Sequence, residues 1–291
     1  MIQSGAPVLR VKDLTKIYGS GCPHCLKATG PDYGTNICSH CGAVVACADI
    51  SFDLYTDEVL GIVGESGSGK SSLIRILHLD DEATSGQMYL TISPDTKIDT
   101  CDSVYKNKNV FALSPFLKRR LRNSRMGIVY QNPYMGLRMG VSAGGNIAER
   151  LIAAGWRNIK KMRERSSYLL DKTEIPVQRM DEPPRNFSGG MQQRVQISKS
   201  LSNNPLVLFF DEVTSGLDLS VQARVLDLVR SLQKDFKLSF IVVSHDLGVI
   251  RLLTSRTMVM KYGRVVESGL TDQILEDPHN AYTQLLVSSQ L

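Results

Sequence analysis

Three groups of residues in this 291-residue chain carry chemistry in their types and spacing. Gly64-Glu65-Ser66-Gly67-Ser68-Gly69-Lys70-Ser71-Ser72 is a complete G-x-x-x-x-G-K-S loop. Backbone N–H groups in such a loop converge on phosphate oxygens at a helix N-terminus, the lysine reaches the terminal phosphates, and the serine hydroxyl ligates Mg²⁺. A short apolar run at 59–63 precedes it and a helical run at 72–77 follows, a context that separates it from a merely flexible glycine turn. The loop predicts a site for a nucleoside triphosphate. Asp211-Glu212, the second group, ends the apolar run at 206–210. Alone such a pair is often a polar strand end. Beside a phosphate loop, Asp211 suits the Mg²⁺ shell and Glu212 suits a base that polarises water at the γ-phosphate.

Cysteines form the third group. Cys22-Pro23-His24-Cys25 and Cys38-Ser39-His40-Cys41 read C-x₂-C-x₁₂-C-x₂-C. Four thiolates suit tetrahedral Zn²⁺, and so small an insert has little other means of ordering itself. A redox pair or an iron–sulfur centre is the competing reading. Four thiolates leave zinc no open position, so the ion is expected to be structural. His24 and His40 read as spectators inside the knuckles, and Cys47 and Cys101 as small apolar residues outside the pattern.

The elements that must position these groups alternate. Residues 8–14 and 50–55 have the period of strands, separated by the glycine- and cysteine-rich stretch. Residues 91–113 are polar and irregular, expected to form strands and loops of a peripheral subdomain. Residues 114–185 are expected to be mostly helical. The apolar runs at 207–210 and 240–243 suit strands buried on both faces of a parallel sheet. The formal charge of +5 points neither toward nor away from nucleic acid. No apolar run is long enough to span a bilayer, so any service to a membrane goes through a partner. The N-terminus lacks a basic and an apolar region, which argues against secretion and for a cytoplasmic location.

Phe187-Ser188-Gly189-Gly190-Met191-Gln192-Gln193-Arg194, one helix upstream of Asp211-Glu212, resembles the signature motif of ATP-binding-cassette (ABC) ATPases. The other landmarks are similar: Gln131 to the Q-loop glutamine, Ser215-Gly216-Leu217-Asp218 to the D-loop, His245 to the switch histidine, and Tyr18 to the aromatic that stacks on adenine. One departure is Val213, where the family has proline. The resemblance implies an α/β P-loop ATPase domain over 1–291, with an antiparallel β subdomain, a helical subdomain at 134–186 and a zinc ribbon inserted at 19–45. It implies ATP hydrolysis by Glu212, His245, Lys70 and Gln131, with Mg²⁺ on Ser71, Gln131 and Asp211. Nucleotide would also touch Tyr18, the loop from Gly64 to Ser72, and Ser188, Gly189, Gly190 and Gln192 of a second copy, making a homodimer.

Within the family, residues 136–147, 174–181, 265–272 and 282–289 resemble the ATPase subunits of carbon–phosphorus lyase systems. That implies partners in the lyase core and room for a sister ABC ATPase. The alternative is a subunit of an oligopeptide- or nickel-type importer, whose C-terminal Pro-x-x-x-Tyr-Thr-x-x-Leu pattern Pro278 to Leu286 also fits. A nucleic-acid binder is a third reading, from the basic runs 118–125 and 157–165 and the ribbon. Solvated helix faces account for those runs, and base-stacking aromatics are scarce there.

Overall fold

The computed structural model describes residues 7–91 and 105–289. Residues 92–104, with Cys101 and much of the polar stretch at 91–113, lie outside the described residues. The chain divides into two compact units, Met1–Lys118 with Ile241–Leu291, and Arg119–Phe240.

The first unit opens with β1 (Leu9–Tyr18), β2 (Val44–Leu54), β3 (Val59–Val63), α1 (Lys70–Leu77) and β4 (Ser85–Leu90). β1 lies between β2 and β4, antiparallel to both. Its apolar side changes parity: Leu9 and Val11 are buried, then Leu14. A register shift falls between Val11 and Leu14, where Asp13 takes a φ of 49° and its N–H is held by Ser51 Oγ at 2.8 Å. One inserted residue thus keeps the strand's apolar side chains on one face. β2 starts earlier than the alternation at 50–55 predicts, because Val45, Ala46, Cys47 and Ala48 are all buried. Such a run has no alternation to read. β4 likewise has little sequence signature, since only Met88 and Leu90 of its six residues are buried.

Helix α2 (Pro115–Arg125) leads into the second unit, where β5 (Met126–Val129) pairs in parallel with β6 (Val207–Asp211). β5 interrupts a stretch expected to be helical; it is four residues long, contains Gly127, and is buried throughout. Between these strands come α3 (Pro133–Gly136), α4 (Ala143–Ala153), α5 (Ile159–Lys172) and α6 (Gly189–Ser200). Asn132, Ser142, Asn158 and Ser188 cap them, each side chain accepting a backbone N–H of the first turn. α7 (Leu219–Phe236) follows β6 and leads to β7 (Ser239–Val243), within which the chain returns to the first unit.

There, Ser244 N–H donates to Ile62 O of β3 at 3.2 Å. α8 (Leu247–Leu253), capped by Asp246, is followed by β8 (Arg256–Lys261), parallel to β3, and β9 (Arg264–Leu270), antiparallel to β8. The β8–β9 link is Tyr262-Gly263, both at positive φ, as a tight two-residue hairpin requires. α9 (Thr271–Glu276) and α10 (Ala281–Ser288) complete the described chain. The fold is mixed α/β with an antiparallel β subdomain. Among the described residues no helix is long and apolar enough to cross a membrane.

Candidate functional site

In the first unit the phosphate loop joins the buried strand β3 to α1. Leu73, Ile74, Ile76 and Leu77 bury one side of α1 and fix its N-terminus at the loop. Gly64 has φ 150°, and a Cβ there would lie 2.2 Å from Met260 O; at Gly69, φ 105°, it would lie 2.0 Å from Ala46 O. Neither position admits a side chain, so the spacing seen in sequence is steric. Lys70 is buried, its Nζ donating to Gly64 O at 2.7 Å and Glu65 O at 2.8 Å, with Ser68 Oγ at 3.4 Å. The ammonium is therefore held inside the curve of the loop. Ser71 and Ser72 occupy the first turn of α1, and the N-terminus of a helix suits an anion. Glu65 N–H donates to Tyr282 Oη at 3.1 Å, so α10 holds the loop's leading edge.

Tyr18 stands at the end of β1 with its ring partly exposed and its hydroxyl donating to Asp81 Oδ2 at 2.7 Å. Lys16 binds Asp81 at 2.8 Å and lies 4.6 Å over the Tyr18 ring. Burial pushes the Tyr18 phenol up. Burial also tends to raise Asp81, but the bonds from Lys16 and Tyr18 outweigh it and hold that carboxyl below its usual range. His245 is exposed, just past the end of β7.

In the second unit Asp211 is the last residue of β6, and Glu212 follows with φ 49°. That left-handed conformation costs a non-glycine residue roughly 1–2 kcal/mol. It turns the chain between Asp211 and the buried Val213. Gln131, just past β5, donates through Nε2 to Glu212 Oε2 at 3.2 Å and Ser215 Oγ at 3.1 Å. Sequence-predicted Gln131, Glu212 and the Ser215 loop are thus brought together. Ser188 and Gly189 are exposed at the start of α6, with Gly190 buried beneath them. The Gln192 amide instead turns back, donating to Pro184 O and Phe187 O at 3.1 Å each, and holds the approach to the helix.

Two residues without a role in the sequence reading tie these parts together. Gln196 accepts from Tyr130 N–H at 2.7 Å and donates to Tyr130 O at 3.1 Å; Gln193 donates to Gln131 O at 2.9 Å. Both are buried, and Gln196 Nε2 also donates to Gln193 Oε1 at 2.8 Å. The helix that begins with the signature residues therefore clamps the backbone that carries Gln131. The available signal was a pair of glutamines three apart, on one side of a helix that buries Val195, Ile197 and Ser198.

The four ribbon cysteines converge. Their sulfurs all lie within 4.8 Å of one another, with Cys22–Cys38 and Cys22–Cys25 at 3.7 Å and Cys25–Cys41 at 3.5 Å. Disulfide sulfurs sit about 2.05 Å apart. Tetrahedral bonds of about 2.3 Å to one central ion place thiolates about 3.8 Å apart. A multi-iron cluster would spread its ligands over several centres, so this donor set fits one tetrahedral ion. Burial raises the Cys38 thiol, but N–H groups of His40 and Cys41 outweigh it, leaving it lowered to about 7. Cys25, Cys38, Ala43, Val45 and Ala48 form the buried core beneath, with Ile17, Cys22, Leu26 and Ala28 against it. Cys47 is buried, and burial pushes its thiol up to about 12, as befits a small apolar residue.

A family model described as ABC transporter matches residues 47–215. The chain is 49% identical over 84% of its length, and 91% of the relative's, to a protein of Escherichia coli (strain K12) named as a phosphonates utilization ATP-binding protein, PhnK. It is 36% identical over 84% of its length to the dipeptide transport ATP-binding protein DppF of Haemophilus influenzae, of which it covers 70%. A dimeric structure of the ATP-binding cassette MJ0796 in a post-hydrolysis state, bound to ADP and Pi, is similar with TM-score 0.71 and 25% identity, over 90% of this chain and 98% of that one. With the phosphate loop, the signature helix and these matches in hand, the chain belongs to the ABC family and is an ATPase of that family.

Proposed function

We propose that this chain is the ATP-hydrolysing subunit of a carbon–phosphorus lyase system, where ATP binding and hydrolysis drive conformational change during phosphonate breakdown. The observation that carries the reading is the 49% identity to PhnK over 91% of that protein, against 36% over 70% of DppF. In this reading the loop from Gly64 to Ser72 cradles the phosphates, Lys70 neutralises the terminal ones, and Tyr18 stacks on the base. Ser71, Gln131 and Asp211 are assigned to Mg²⁺, and Glu212 and His245 to the attacking water and the γ-phosphate. The dimeric MJ0796 cassette supports a homodimer in which Ser188, Gly189 and Gly190 of one copy close over nucleotide in the other. Gln192 supports that closure by anchoring the signature segment. The working location is the cytoplasm, and residues 134–186 serve as the helical subdomain.

The four cysteines would hold Zn²⁺, whose contribution is structural: with four thiolates bound it has no position left for substrate. Elemental analysis of the full-length protein tests this; zinc in Cys22→Ser/Cys41→Ser protein equal to that in the parent would refute it.

Affinity purification of the tagged chain from cells grown on a phosphonate tests the assignment. Recovery of a complex with lyase subunits, without a permease by mass spectrometry, is the expected outcome. The similarity to DppF and the residues Pro278 to Leu286 favour a second reading, an importer subunit, for which a membrane permease would co-purify instead.

A further inference from the structure

The ribbon touches the phosphate loop. Asn36 Nδ2 donates to Gly67 O at 3.4 Å. The next carbonyl, Ser68 O, accepts Gly263 N–H from the β8–β9 turn at 2.9 Å. The one after it, Gly69 O, accepts Leu73 N–H at 2.9 Å, with Cys47 Sγ 4.0 Å away. In a trans peptide the carbonyl and the following N–H point in opposite directions. Tying the Ser68 carbonyl outward therefore sends the Gly69 N–H the other way, and the outward Gly67 carbonyl leaves Ser68 N–H to close on Glu65 O at 3.2 Å. The conformation that presents N–H groups to phosphate is thus set by what holds the carbonyls.

The second tie also leads back to the ribbon. Arg264, next to Gly263, donates to Leu26 O at 2.7 Å and lies 3.5 Å from Asp49. It packs so closely on Gly30 that a Cβ there would lie 2.8 Å from Arg264 Nε. Asn36 itself is placed by Cys38, two residues on, and by Val45 N–H donating to Asn36 O at 2.8 Å. The ribbon core beneath is a handful of small side chains, too few to order the segment unless a metal joins the four cysteines.

We propose that the cysteine-bound ribbon is a brace for the phosphate loop, with Asn36 as a positioning residue, so that metal occupancy of the ribbon sets nucleotide affinity. The metal half of this statement rests on the zinc reading above; the Asn36 half does not. The test measures, on full-length protein, zinc content, Kd for MgATP, and kcat with KM. Asn36→Ala and Asn36→Asp retain all four cysteines and are expected to keep parental zinc. Asn36→Ala should raise Kd and KM for MgATP about threefold to tenfold, the worth of one hydrogen bond, and Asn36→Asp, which also adds a negative charge, at least as much, with kcat at saturation unchanged. A residue that only stabilised the fold would lower the melting temperature without this KM-against-kcat split. Zinc-stripped parent protein should show at least the same weakening. Unchanged Kd in the zinc-loaded Asn36 variants overturns the brace. Unchanged Kd in the stripped parent overturns the metal linkage. Purified parent protein without zinc would defeat the metal reading itself, and the Asn36 variants, compared with that metal-free parent, would still decide the brace.

Discussion

Gln131 Nε2 bridges Glu212 Oε2 and Ser215 Oγ, at 3.2 Å and 3.1 Å. One amide thus orients the carboxylate proposed to polarise water and the loop that follows it. Gln131→Ala should remove this hydrogen bond to the Glu212 carboxylate and lower kcat on the order of a hundredfold, the scale of a misplaced catalytic group. Steady-state kinetics check this; kcat within a factor of about two of the parent would contradict the orienting role.

Glu212 holds a left-handed backbone that glycine adopts without strain. Comparing Glu212→Gly with Glu212→Ala removes the carboxylate from both and isolates the backbone. The glycine variant should be more stable by about 1 kcal/mol in urea unfolding, although glycine costs more chain entropy. Equal stability, or a more stable alanine variant, would show that the turn is not strained.

Gln196 satisfies both polar groups of the Tyr130 peptide backbone from a buried position. Gln196→Leu keeps the volume but leaves that N–H and carbonyl without this partner. A loss of about 1–3 kcal/mol in unfolding free energy is expected. Catalysis should fall too, since the clamp lies next to Gln131; an unaltered protein by both measures would remove Gln196 from the account.

The ribbon's own apolar core is small, so its order should depend on the metal. After chelation, limited proteolysis should cut within residues 19–43, and the zinc-loaded protein should resist under the same conditions. Acidification should act in the same direction, because thiolates take up protons as they release a metal. Identical digestion patterns with and without zinc would contradict a metal-ordered ribbon.

What was legible in the sequence follows from how local the chemistry is. The loop from Gly64 to Ser71 must spell itself out, because backbone clearance at Gly64 and Gly69 and the reach of Lys70 fix residue types at set spacings. The cysteine knuckles are legible for the same reason: the convergence of Cys22, Cys25, Cys38 and Cys41 is what their spacing predicts. Elements that bury both faces or neither left weaker traces. β5 is too short and glycine-bearing to stand out, β4 buries two residues, and 44–49 has no alternation. Contacts between distant segments left none. Tyr282 reaches Glu65 across 217 positions, and Asn36 reaches Gly67 from an insert whose sequence advertises only its four cysteines. The glutamine pair Gln193 and Gln196 was visible as residues but not as a clamp, since its partner at 130–131 is fixed only by the fold.

The central claim is an ATPase whose carboxylate Glu212 activates water for attack on the γ-phosphate. Glu212→Gln keeps the side chain's size and removes the base, so single-turnover hydrolysis of MgATP measures it most directly. The account predicts a rate lower by about a hundredfold or more, with the variant accumulating as an ATP-bound dimer in size-exclusion chromatography. Hydrolysis at the parental rate would contradict it.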